Sequence, residues 1–162
     1  MSGEEAPITV GPQSYALWRS TDLGAITEAL EQRLILDLMG DLAGRRVLDV
    51  GCGDGALAYA AALRGAEAVG VDPDSAMLAA ARSRVAETGV GATFLEGRAE
   101  HLPFPDASFD VVVAVTVLCF VSDAMAAMRE MTRVLRPGGQ LVIGELGRWS
   151  LWAVSRRVRG WH

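Results

Sequence analysis

The chain has 162 residues, 51% of them hydrophobic, with a formal charge of −5 and a mean hydropathy of +0.25. That length buries one core, and the excess of acids argues against nucleic acid as the main partner, because neutralising phosphates needs a basic surface. There is no lysine, and only two cysteines (Cys52, Cys119) and two histidines (His101, His162), which argues against Schiff-base and phosphate-loop lysines, a disulfide framework and a metal cluster.

Residues 1 to about 13, with their glycines, prolines and acids, read as a loose arm. The opening Met1-Ser2-Gly3-Glu4-Glu5 has no basic stretch, and the longest apolar run, Val111 to Val121, is too short to span a bilayer. A cytoplasmic protein without stable membrane insertion is expected. Thr21 or Asp22 is placed to cap a helix running to about Met39, with Leu23, Ile26, Leu30, Leu34 and Leu38 on one face. Strand 46–50, helix 55–64, strand 67–71, helix 74–88 and strand 92–96 follow. After a loop come strand 109–115, helix 122–135 and strand 139–145, with Pro137-Gly138-Gly139 expected to end the helix and turn the chain into the last strand. Val111 to Val115 is continuously apolar, as in a strand buried on both faces. The alternation predicts an α/β fold: a three-layer, doubly wound, mostly parallel sheet. One domain is expected, with a helical cap over 1–42, an α/β core over 43–147 and a basic amphipathic tail over 148–162.

The most informative stretch is Val47-Leu48-Asp49-Val50-Gly51-Cys52-Gly53-Asp54-Gly55, followed by the helix-forming Ala56 to Leu63. Strand, glycine turn, helix is how such a sheet opens a binding crevice. A dinucleotide loop spaces its glycines G-x-G-x-x-G and meets an anionic pyrophosphate. Here the spacing is G-x-G-x-G with acids at Asp49 and Asp54, which repel pyrophosphate and favour a cationic ligand. S-adenosylmethionine (SAM) is such a ligand, with a sulfonium, an ammonium and no phosphate. Asp72 ends the next apolar run, twenty-one residues after Gly51, at the strand tip from which an acid reaches ribose hydroxyls. Asp54 either touches the ligand or caps the following helix, and Cys52 is either a small loop residue or a nucleophile.

Four segments in order, VLDVGCGDG, GVDPDSAML, GRAEHLPFPDASFDVVVAV and LRPGGQLVI, span roughly Val47 to Glu145. They resemble the class I SAM-dependent methyltransferases, of the type-11, small-molecule kind found in ubiquinone and menaquinone biosynthesis. The resemblance implies a Rossmann-like methyltransferase fold and SAM as cofactor, with S-adenosylhomocysteine as its product. It places Gly51 and Gly53 near the methionine moiety, Asp72 on the ribose, and Arg98, Ala99 and Glu100 around the adenine; Asp49, Cys52, Pro73 and Met77 are further candidate cofactor contacts. Thr116 and Tyr15 complete the cofactor set. Trp18, His101, Val117 and Phe120 are the candidates for contact with the small-molecule acceptor. The rings of Tyr15 and Trp18 either face the sulfonium or pack a core, and His101 is either a base or a solvated loop residue.

Methyl transfer is an in-line displacement whose donor brings its own leaving group, so no catalytic residue is assigned. Two features depart from the family pattern. Position 98 is commonly acidic, and Arg98 cannot accept from the adenine amino group, which leaves Glu100 and the Ala99 backbone, or a reduced affinity. The family continues past the fifth strand with a helix and an antiparallel hairpin, whereas this sequence ends at Trp161-His162. From Arg148 onward it holds four arginines and no acid. That tail is a remnant, a membrane-surface helix or a dimer contact. An edge left open at 140–145 predicts self-association or reduced stability, with weak or no turnover. A non-catalytic SAM-binding module, or less readily an NAD-dependent oxidoreductase, is the alternative function.

Overall fold

The computed structural model describes Leu17 and residues 20–145. The chain divides into two compact units, residues 1–31 with 146–162, and residues 32–145. Tyr15, Trp18 and the basic tail lie outside the described residues. Helix α1 (Asp22–Met39) starts in the first unit and ends in the second; β1 (Arg46–Val50), α2 (Ala56–Leu63), β2 (Glu67–Asp72), α3 (Ser75–Thr88), β3 (Ala92–Glu96), β4 (Phe109–Val115), α4 (Ala124–Val134) and β5 (Leu135–Gly144) follow.

The sheet order is β3-β2-β1-β4-β5, with every neighbouring pair parallel. The chain winds outward from β1 to β3, then returns to β4 on the other side of β1, so the carboxyl ends of β1 and β4 part where the winding reverses. Doubly wound sheets bind ligands at that switch point. Alternation along β4 explains its unbroken apolar run. Val111 and Val113 join the core beneath α1, α2 and α3, with Ala58, Ala61, Leu78, Ala81 and Phe94. Val112 and Ala114 point the other way, into a core with Ala127, Met131 and Val134 of α4. Asp74 caps α3, accepting from Ala76 N at 2.8 Å, and Asp123 caps α4, accepting from Ala126 N at 2.9 Å.

Two local expectations change. The leucine and isoleucine stripe of α1 does share one face, but that face is the exposed one: Ile26, Leu30 and Leu34 are each about 60% exposed. Ile35, Leu36 and Met39 are the α1 residues that enter the core. The last strand starts at Leu135 rather than 139. Phe109 pairs with Leu135 and Val111 with Gln140, so residues 136–139 bulge out, around Gly138 at φ +77°. Leu135 already has extended backbone at the end of α4, so Pro137-Gly138-Gly139 sits inside the strand as an irregularity and not before it as a turn.

The β3–β4 connection is fastened to α4 by Arg133, which donates to Phe104 O at 2.8 Å, Leu102 O at 3.1 Å and both oxygens of Glu130 at 2.6 and 2.7 Å. The guanidinium holds the Glu130 carboxyl down to about 2. Because the folded value lies below the unfolded one, the stabilisation is complete above the ordinary carboxylate range and is lost as pH falls toward 2. Glu130→Gln is therefore expected to melt below the parent at neutral pH, with the gap closing on acidification. Thermal melts at a series of pH values check this, and a gap that does not depend on pH removes the ion pair from the account. Among the described residues, no helix is long and apolar enough to cross a membrane.

Candidate functional site

The glycine loop is tied to the end of β2 by its backbone. Gly51 N and Cys52 N both donate to Val71 O, at 2.7 and 3.0 Å. Asp72, 9% exposed, uses both carboxylate oxygens on main-chain donors: Oδ2 accepts from Gly53 N and Oδ1 from Asp74 N, each at 2.8 Å. The predicted ribose residue therefore also shapes the loop, and each oxygen keeps a further lone pair for a hydroxyl.

The glycines divide the work. A Cβ at Gly51 would lie 2.5 Å from Val117 Cγ2, so this glycine admits the β4 loop. A Cβ at Gly55 would lie 2.7 Å from the Phe94 ring, so that one seats α2 against the core. At Gly53, with φ +53°, a Cβ would meet nothing within 4 Å. That open side is where a ligand can approach the loop.

Carboxylates surround the loop. Asp54 Oδ2 is held by Arg84 Nη2 of α3 at 2.7 Å, while its other oxygen is 3.4 Å from Ala56 N, so the ion pair and not a helix cap is its main bond. Asp49 is 3% exposed and its Oδ2 has no hydrogen-bond partner. Burial pushes its carboxyl up to about 7, the Ala58 backbone N–H opposes this, and the Asp72 and Asp54 charges add to the rise. Cys52 is buried, and the same burial and carboxylates push its thiol above the ordinary thiol range, which removes it as a nucleophile.

Beyond Asp72 a recess of about 360 Å³ opens between the ends of β2 and β3, lined by Pro73, Glu96, Gly97 and Arg98. Ala99 is buried. Glu100 is occupied elsewhere: its Oε1 accepts from Ser122 N at 3.0 Å, Ser122 Oγ at 2.9 Å and Arg98 Nη2 at 3.4 Å. Its own backbone N–H and the Ser122 hydroxyl hold its carboxyl down to about 2. Met77 lies in the first turn of α3 with its N–H 3.4 Å from Asp74 Oδ1. His101 is exposed and its N–H donates to Arg98 O at 3.1 Å.

On the far side of the crevice, Thr116 follows β4 at φ +55° with its buried Oγ1 unpartnered, and its N–H donates to Gly144 O at 2.7 Å. Val117 is buried and Phe120 is 43% exposed. Leu118 N donates to Glu145 Oε1 at 2.9 Å, which fastens the β4 loop to the end of β5. Sequence reasoning missed Glu96, Gly97 and Arg84. Glu96 carried a usable signal, since it ends β3 as Asp72 ends β2, and the two pair in register.

A methyltransferase-domain family matches residues 48–143, more than half of the chain. The ubiquinone biosynthesis O-methyltransferase of Pseudomonas syringae pv. tomato is 40% identical over 115 residues, 70% of this chain and 49% of that protein. The chain thus spans about half the length of the curated relatives it matches. Among solved structures, the YcgJ protein of Bacillus subtilis superposes with a TM-score of 0.67 and 37% identity, over 69% of this chain and 48% of that one. The [4+2]-cyclase SpnF does so with 0.63 and 36%, over 68% and 43%. With the glycine loop, the strand-end acid and the parallel sheet in place, this chain belongs to the methyltransferase-domain family.

Proposed function

We propose that the crevice binds SAM and that the protein transfers its methyl group to a hydroxyl oxygen of a small molecule. The observation that carries the reading is the open side of Gly53, set among three carboxylates of which Asp49 keeps one oxygen unpaired. A cation suits that ring of acids and a pyrophosphate does not. Asp72, at the tip of β2, is the proposed ribose acceptor, and the recess at Pro73 and Arg98 the proposed purine site. The acceptor's oxygen attacks the methyl carbon as the sulfonium leaves as a thioether, and the protein's part is alignment and exclusion of water. Val117 and Phe120, at the carboxyl end of β4, are the proposed acceptor contacts. An oxygen acceptor is supported by the named relatives, which are O-methyltransferases. Calorimetric titration with SAM and with NADH, then labelled methyl transfer to catechols, tests the reading; binding of NADH in place of SAM ends it.

A second reading, SAM binding without methyl transfer, is favoured by the likeness to SpnF, which is described as a cyclase. Tight SAM binding with no transfer to any acceptor would select it. A cytoplasmic location is proposed from the two free thiols, Cys52 and Cys119, which suit a reducing compartment.

We further propose a homodimer. Among the described residues β5 pairs only with β4, and α1 exposes its aliphatic stripe. Unpaired edge groups and an apolar face both favour association. Light scattering over a concentration series is expected to show a rising mass, and a strictly monomeric chain refutes the dimer.

A further inference from the structure

Asp49 is sealed under the glycine loop, 3% exposed, with Oδ2 unpartnered. The charged groups around it are Asp72 from the end of β2, and Asp54 in the loop with Arg84 of α3 paired to it. Its strand neighbours in register, Gly70 and Val113, bring no charge, nor does Ala58 of α2, and the nearby Cys52 thiol is uncharged. A buried carboxylate facing two others, with no cation of its own, is unfavourable as an anion unless a positive ligand arrives.

Resting on the SAM reading above, we propose that the donor site works by exchange: Asp49 carries a proton while the crevice is empty and releases it when the sulfonium and ammonium of the donor settle over the glycine loop. The step balances, one proton leaving the carboxyl for solvent as one organic cation enters. The empty site then avoids a cluster of three anions, and the full site gains a charge pair in a water-poor setting. The carboxyl of Asp49, raised to about 7, lies where such an exchange operates near neutral pH.

The test is calorimetry of SAM binding in two buffers of different ionisation enthalpy, repeated from about pH 6 to about pH 8, on the parent and on Asp49→Asn. The donor's own ammonium contributes to both proteins and cancels in the comparison. The parent is expected to release about half a proton more than the variant near pH 7, approaching one at about pH 6 and vanishing at about pH 8 or above. Equal release by both overturns the proposal.

A ligand-free measurement stands beside it and also decides the matter if the variant binds too weakly to titrate. A carboxyl raised on folding costs stability as pH climbs from its unfolded value to its folded one. Melting of the parent should therefore fall by several degrees relative to Asp49→Asn between about pH 4 and about pH 7, then run parallel to it. A constant gap overturns the proposal. Should SAM fail to bind the parent at all, the donor reading fails, while these melts still judge the proton on Asp49.

Discussion

Asp72→Ala is expected to lower SAM affinity by at least about a hundredfold and to lower the melting temperature of the empty protein as well. The carboxylate accepts from Gly53 N and Asp74 N, each at 2.8 Å, and it is nearly buried. Charge-assisted bonds of this kind contribute about 1.5–3 kcal/mol each, and their loss leaves the loop amides poorly satisfied. The ribose loses its charged acceptor in the same step, and about 1.4 kcal/mol is a tenfold change in affinity. Asp72→Asn separates the parts, since its amide oxygen still accepts one of the two bonds and its NH₂ faces the other donor. It should bind SAM with intermediate affinity. Titration calorimetry on the folded variants measures both. Unchanged affinity in Asp72→Ala would remove this residue from the donor site.

The second large effect distinguishes two glycines that look alike in the sequence. Gly53→Ala places a methyl group in open space, at a left-handed backbone that costs an L-residue about 1–2 kcal/mol. The protein should fold with a modest drop in melting temperature and lose most of its SAM affinity. Gly51→Val should instead damage the fold. It has the same backbone penalty, made worse by β-branching, and its Cβ would lie 2.5 Å from Val117 Cγ2. Overpacking typically costs about 1–3 kcal/mol in addition. Melting followed by titration distinguishes the two outcomes. A Gly53→Ala protein that binds SAM normally would reduce the loop to a structural turn.

The parts of the fold that periodicity governs were legible in the chain. β3 over 92–96 and β4 over 109–115 lie where their apolar runs end, and α1 stops at Met39 as its pattern does. What the chain hid depends on partners distant in sequence. The α1 stripe was legible as one face, but not which face enters the core, because Ile35, Leu36 and Met39 suit the core equally well and hydrophobic spacing carries no label for the partner. Asp72 was legible as an acid at the tip of β2, but not as the acceptor that holds Gly53 in place. The Asp72-Pro73-Asp74 sequence hinted at a side-chain turn, yet the bond to Gly53 spans nineteen residues. Arg84 was hidden for the same reason, being thirty residues from the Asp54 it holds. Position 137–139 misled because proline and glycine mark a turn and a strand bulge alike.

Thr116 shows what the crevice costs the rest of the molecule. A β-branched residue at φ +55° is an uncommon backbone state, of order 1–3 kcal/mol above the ordinary ones, and here it is held by a main-chain bond to Gly144. Its buried hydroxyl has no hydrogen-bond partner within the protein. Thr116→Gly would relieve the strain, and it therefore separates the backbone's share of the stability from any share the hydroxyl takes in the proposed donor site. If the hydroxyl serves the proposed donor site, thermal robustness and ligand affinity pull in opposite directions here, and an engineered lineage of this fold would reveal by its choice at position 116 which of the two it had been bred for.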